Sequence, residues 1–191
     1  IYLFDNDRSR AARLAKQGVS VEGIAGNWHA EPRVSSDLKD ISRPDLIILC
    51  VKSYDTKTAV ESLKSVIGDD TSILTLQNGI GNVEIIGETA GPDRVIGGIT
   101  NLGATWLDTG RVRFSGKGET VIGKVDAKAS VQMRAIRELF NRAGIETKIS
   151  QDIKGFLWSK LIVNAGINAL AAITRLNNGG LLEYEGSRKI L

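Results

Sequence analysis

The sequence is poor in the residues on which several classes of protein depend. One cysteine, Cys50, among 191 residues excludes an internal disulfide and a cysteine-based zinc cluster. One histidine, His29, excludes histidine-rich metal sites and disfavours Ser-His-Asp catalysis. The 25 basic and 22 acidic residues leave a net charge of +3, which is too small and too scattered to indicate a nucleic-acid partner. No apolar run approaches the roughly 20 residues of a membrane span, so no membrane partner is expected.

Short β-branched runs alternate with helical segments along the first hundred residues. The strand patterns lie at 1–4, 19–21, 46–51, 72–76 and 94–100. Strands that alternate with helices form parallel sheets with right-handed crossovers, so we predict an α/β fold with a Rossmann-like doubly wound sheet. The strand at 46–51 lacks polar alternation, which predicts burial on both faces. Residues 22–44 show little periodicity and are predicted as loops, with at most a short helical turn near 37–41.

The pattern changes after residue 100. A hairpin is predicted from 102–107 and 112–115, with 120–122 as a third short strand. A helix at 129–142, a strand at 146–149 and a long helix from 153 to about 176 follow. We therefore expect a dinucleotide-binding domain over 1–150, and the beginning of an all-helical C-terminal domain over 151–191. Because the chain opens directly on a strand, we expect its N-terminal βα unit to lie outside these residues.

Polar residues follow three of the predicted strands, where open α/β sheets bind ligands. Asp5 could accept hydrogen bonds from a ribose or could simply cap a turn. Lys52 could meet a phosphate or ribose, or could be a solvated loop lysine. In the turn 77–82 (QNGIGN), the glycines tolerate positive φ, and Asn78 offers a donor and an acceptor suited to a carboxamide. The alternative there is an ordinary strand-to-helix turn.

The long helix carries a polar row on an apolar background. Lys160, Asn164 and Asn168 stand four residues apart, which places them within about 80° of one another on one face. A helix that is otherwise apolar all round is expected to be buried, and its polar groups then need partners. These partners are either protein groups or a polar ligand in a cleft. A lysine in a dry site is also a plausible proton donor, because desolvation lowers its pKa.

Four segments together resemble the ketopantoate reductase (2-dehydropantoate 2-reductase) family. They are 45–54 (DLIILCVKSY), 77–84 (QNGIGNVE), 94–100 (RVIGGIT) with 103–104, and 157–170 (LWSKLIVNAGINAL). The resemblance covers nearly the whole chain and is most specific in the last segment. It implies reduction of ketopantoate to pantoate with NAD(P)H, on the cytoplasmic route to pantothenate and coenzyme A.

The resemblance also implies roles for individual residues. Lys160 would be the general acid, and Asn164 and Asn168 would bind substrate. Asn78 would touch both cofactor and substrate. The expected cofactor contacts are Asp5, Lys52, Asn78 and the backbone at Ala104. No metal site is expected, the partner is a small keto acid, and a homodimer is one option for the assembly.

Two alternatives to this function stay open. The same cleft could serve a reductase of another small 2-keto or 3-hydroxy acid, or the chain could be a regulatory module that binds NAD(P) without turnover. The cofactor is also open. NADPH is favoured by family habit and by Arg8 and Arg10 near the end of the first strand. Asp5 would repel a 2′-phosphate and leaves NADH available.

Overall fold

The computed structural model describes residues 1–190. These residues form eleven strands and six α-helices. The strands are β1 (Tyr2–Phe4), β2 (Val19–Gly23), β3 (Trp28–Ala30), β4 (Arg33–Ser35), β5 (Leu46–Leu49), β6 (Ser72–Thr75), β7 (Val95–Thr100), β8 (Gly103–Asp108), β9 (Arg111–Gly116), β10 (Thr120–Gly123) and β11 (Thr147–Ile149). The helices are α1 (Arg8–Gln17), α2 (Thr56–Leu63), α3 (Asn82–Ala90), α4 (Val131–Arg142), α5 (Ile153–Thr174) and α6 (Glu185–Ile190).

A five-stranded sheet in the order β11-β10-β7-β6-β5 forms the centre of the fold. Strands β5, β6 and β7 are parallel, and β10 runs antiparallel to β7. Every residue of β6 is buried, as the parallel-sheet prediction requires. The predicted burial of both faces is wrong for β5, where Ile48 is 44% exposed. Within residues 1–190, β5 is the last strand of its sheet, so one side of it has no neighbour.

Helices cover both faces of this sheet, which confirms the predicted doubly wound α/β class. Adjacent residues of a strand point to opposite faces, and the two apolar clusters divide accordingly. Ile73 packs with the α2 and α3 residues Val60 and Ile86. Its neighbour Leu74 packs in the other cluster, with the α4 residues Met133, Ile136 and Phe140.

Two smaller sheets depart from the sequence-based expectations. Strands β1 and β4 form a parallel pair, and β3-β2-β9-β8 form a four-stranded sheet. The hairpin β8–β9 was predicted, but β3 and β4 lie in the segment 22–44 that was predicted as loop. Neither β3 (Trp-His-Ala) nor β4 (Arg-Val-Ser) contains the apolar β-branched run by which the other strands are predicted. The short strand predicted at 120–122 is confirmed as β10, but it pairs with β7 in the central sheet and not with the hairpin.

The first turns of helix α5 pack on the central sheet. Ile153 is buried against Ile99 and Val121, and Leu157 packs beside them. The approach is close because β10 ends in Gly123, where an added Cβ would lie 2.9 Å from Cβ of Ile153. The predicted burial of the whole helix is wrong. In the part of the chain that the structure describes, Ile153 is the one residue of α5 that is buried. The prediction that no apolar run approaches a membrane span is wrong for α5, which by length and composition could cross one; core helices of soluble proteins pass the same test.

Candidate active site

The carboxyl ends of β5, β6 and β7 lie at one edge of the central sheet, since these strands are parallel. The turn after β6 is strongly curved, with φ of +94° at Gly79 and +90° at Gly81. A Cβ added at either glycine would meet no atom within 4 Å. Glycine is therefore required there by the backbone conformation rather than by crowding, and the turn keeps open space above it.

A buried hydrogen-bond network joins this turn to the segment after β5. The Thr56 hydroxyl, fully buried, donates to Oδ1 of Asn82 at 2.9 Å and accepts from Nε2 of Gln77 at 3.0 Å. Gln77 also donates to the Val51 carbonyl at 2.6 Å. Buried polar groups that are satisfied by one another define a single arrangement. The network therefore holds the turn after β6 against the segment after β5.

The network also reaches two of the predicted site residues through their backbone. The Ser53 hydroxyl donates to the Asn78 carbonyl at 3.1 Å, and Nδ2 of Asn82 lies 3.4 Å from the same oxygen. Ser53 follows Lys52 directly, so its hydroxyl links the Lys52 segment to the main chain of Asn78. Their side chains are exposed and free to meet a ligand.

Lys160 reaches from α5 to the carboxyl end of β7, where its Nζ donates to the Thr100 carbonyl. Burial lowers the pKa of this lysine below its ordinary value, because desolvation disfavours the ammonium form. Within residues 1–190 no carboxylate forms an ion pair with it, so its positive charge is not neutralised there. The Thr100 side chain is itself held by the buried Thr120 hydroxyl at 2.9 Å.

The two asparagines of the polar row lie further along α5. Asn164 is half-buried and Asn168 is exposed. Neither side chain forms a hydrogen bond with another residue in the described part of the chain. The sequence-based argument that these amides need partners assumed a buried helix, which residues 1–190 do not provide. Both amides are available to a ligand.

A cleft of about 350 Å³ separates the Asn-Gly turn from the first turns of α5. Its walls include Gly79, Ile80 and Gly81 on one side and Leu157 and Trp158 on the other. The sequence analysis assigned no role to Thr56, Gln77 or Trp158. Their polar or aromatic character, next to the recognised segments, was the available signal.

Asp5 and Ala104 lie on the smaller sheets. Asp5 directly follows β1, and its carboxylate forms a two-pronged ion pair with Arg10. Hydrogen bonding to Arg10 holds the pKa of Asp5 below its ordinary value. Ala104 lies on β8, four residues after Thr100, and is exposed. The structure thus brings Lys52 and Asn78 together, and Lys160 to the segment that leads to Ala104, whereas Asp5 belongs to a separate strand pair.

A doubly wound sheet whose polar residues gather at the carboxyl ends of its parallel strands is typical of dinucleotide-dependent α/β enzymes. Two family profiles make the assignment specific. The profile described as "Ketopantoate reductase PanE/ApbA" matches residues 1–127, and the one described as "Ketopantoate reductase PanE/ApbA C terminal" matches residues 152–191. The chain belongs to the ketopantoate reductase family.

Individual relatives agree with this assignment. A 2-dehydropantoate 2-reductase of Pyrococcus horikoshii is 41% identical over 172 residues, covering 90% of this chain and 56% of the relative. The crystal structure of a Geobacter metallireducens 2-dehydropantoate 2-reductase superimposes with a TM-score of 0.89 at 26% identity, over 98% of this chain and 62% of that one. A D-mandelate dehydrogenase solved with NADH and anilino(oxo)acetate shares the fold, with a TM-score of 0.85 at 22% identity, over 98% and 61%. The chain therefore spans about three fifths of the length of these proteins.

Proposed function

We propose that the protein containing this chain reduces the ketone of ketopantoate to pantoate with a nicotinamide dinucleotide. Family membership supports the reaction, and the half-buried, unneutralised Lys160 is the observation that carries the mechanism. Residues 1–150 would contribute most of the dinucleotide-binding domain, and 151–191 the first helices of the substrate domain. The cytoplasmic location and a homodimeric assembly stay predictions.

The predicted site residues suit the chemistry of carbonyl reduction. A bound nicotinamide dinucleotide supplies the hydride. Addition of hydride to a ketone builds negative charge on its oxygen, and an ammonium placed there stabilises that charge and then donates a proton. Lys160 would do both, because its proton is made more acidic by burial and because its present partner, the Thr100 carbonyl, carries no formal charge.

The remaining site residues would bind and orient. Asn164 and Asn168 present free amides in line with Lys160 along α5, suited to the carboxylate and hydroxyl groups of a small keto acid. Asn78 would contact both ligands from the opposite side of the cleft. Lys52 and the backbone at Ala104 would contact the cofactor, and Asp5 its adenosine ribose.

The test is oxidation of NADH or NADPH by the full-length protein in the presence of ketopantoate. We expect turnover by the wild type and a loss of at least about a hundredfold in kcat for Lys160→Ala, the usual contribution of a general acid. Lys57→Ala, which removes an exposed lysine of α2, is the control and should retain its rate. A comparison of kcat/KM across other small keto acids identifies the substrate. If Lys160→Ala kept the wild-type rate, the assigned proton donor would be wrong.

A further inference from the structure

The carboxylate of Asp5, directly after β1, forms an ion pair with the guanidinium of Arg10 on α1. Nε of Arg10 donates to one oxygen of Asp5, and Nη2 donates to the other at 2.7 Å. The backbone amide of Asp7 adds a hydrogen bond to Oδ1 of Asp5 at 2.9 Å. The Asp5 side chain is 17% exposed, so part of it still faces solvent. Two-pronged pairs of this kind fix both the charge and the orientation of the carboxylate.

The start of α1, which follows Asp5, is also already occupied. Oδ1 of Asp7 accepts from the backbone amides of Ser9 and Arg10 at 2.9 and 3.0 Å, and from the Ser9 hydroxyl at 2.7 Å. Free amides at a helix start and free arginines are the groups that ordinarily receive a phosphate. Here the amides are used by Asp7, and the guanidinium of Arg10 is used by Asp5.

We propose that Asp5 makes this protein select NADH over NADPH. The inference rests on the proposed function, in which Asp5 meets the adenosine ribose. Within residues 1–190, Oδ1 of Asp5 accepts two hydrogen bonds and Oδ2 accepts one, which leaves Oδ2 able to accept from a ribose 2′-hydroxyl.

The 2′-phosphate of NADPH fits this arrangement poorly. It would place a second negative group against an ionised carboxylate. To meet the phosphate, Arg10 would have to leave Asp5 and expose that carboxylate at the same point. The ion pair between Asp5 and Arg10 therefore favours NADH, although the family resemblance favours NADPH. Arg8 is the remaining nearby cation, and it forms no ion pair within the described residues.

The experiment measures cofactor binding apart from turnover. The full-length protein is titrated with NADH and with NADPH, and dissociation constants are read from nicotinamide fluorescence. We expect wild-type protein to bind NADH at least about tenfold more tightly than NADPH, a difference of about 1.4 kcal/mol. Asp5→Asn keeps the shape of the side chain and removes its charge. It should weaken NADH, tighten NADPH and reduce the preference at least about fivefold.

Asp108→Asn is the matched control, because Asp108 also pairs with an arginine of α1, Arg13, at 3.1 Å, but on the hairpin β8–β9. It should leave the NADH preference unchanged. Equal or tighter binding of NADPH by the wild type would overturn the inference while leaving the reductase function intact. Loss of NADPH binding in Arg8→Gln would then identify the phosphate contact. An unchanged preference in Asp5→Asn would also overturn the inference. Failure to bind either dinucleotide would overturn both proposals.

Discussion

Replacement of Thr56 by valine tests whether the buried network orients the cleft. Valine has nearly the shape of threonine, so the change removes a hydroxyl without opening a cavity. It deprives Oδ1 of Asn82, a residue only 4% exposed, of its hydrogen-bond donor. It also deprives Gln77 of one acceptor, although Gln77 keeps the Val51 carbonyl. An orphaned buried acceptor costs about 1–3 kcal/mol, and a lost second hydrogen bond about 1, so we expect a loss of about 2–4 kcal/mol.

The assay combines urea unfolding of the full-length protein with steady-state kinetics. Thr71→Val is the matched control. Thr71 is 3% exposed and also forms two hydrogen bonds, to the Pro44 carbonyl and the Gly68 amide, but it lies at the amino end of β6, whereas Thr56 bonds to residues beyond the carboxyl end of β6. Both variants should lose stability, and only Thr56→Val should raise the KM for keto acid or cofactor, by about fivefold or more, equivalent to about 1 kcal/mol. Thr56→Ser should restore binding. Comparable destabilisation with unchanged KM values in Thr56→Val would refute an orienting role.

Two further predictions concern α5. The kcat/KM for ketopantoate should fall as pH rises through a pKa below that of an ordinary lysine, because Lys160 must be protonated to act and burial lowers its pKa. Lys160→Arg stays protonated, so this variant should be slower and its kcat/KM should no longer fall with pH. If the same fall persisted in Lys160→Arg, it would belong to another group. Gly123→Ala should cost about 1–3 kcal/mol in urea unfolding and lower kcat, because its Cβ would lie 2.6 Å from the Ser150 carbonyl and push α5 off the sheet; unaltered kcat would show that the distance between helix and sheet does not matter for catalysis.

Much of the central sheet follows from the sequence, because β6 and β7 are short runs rich in β-branched residues that alternate with helical segments. Strands β3 and β4 were missed because their three residues, unlike those of β1, include no apolar run. The predicted burial of α5 was wrong because an apolar composition indicates a surface that can be covered, and does not say which residues cover it. The network around Thr56 could not be foreseen either, since its hydrogen bonds join residues up to 29 positions apart.

Helix α5 contacts the sheet through its N-terminal end, near Ile153. Its proposed site residues therefore lie at different distances from the point about which the helix would tilt. Lys160 stands seven residues from Ile153 and Asn168 fifteen, which at 1.5 Å per residue gives about 10 and 22 Å. A tilt of the helix by about 10° around Ile153 would move Lys160 by about 2 Å and Asn168 by about 4 Å. Lys160, the proposed proton donor, is thus the residue of the polar row that a tilt would move least. Asn168, at the larger distance, moves about twice as far as Lys160 for the same tilt. Because a misplacement of about 1 Å can cost about a hundredfold in rate, both groups keep their aim only if the contact between α5 and the sheet is rigid.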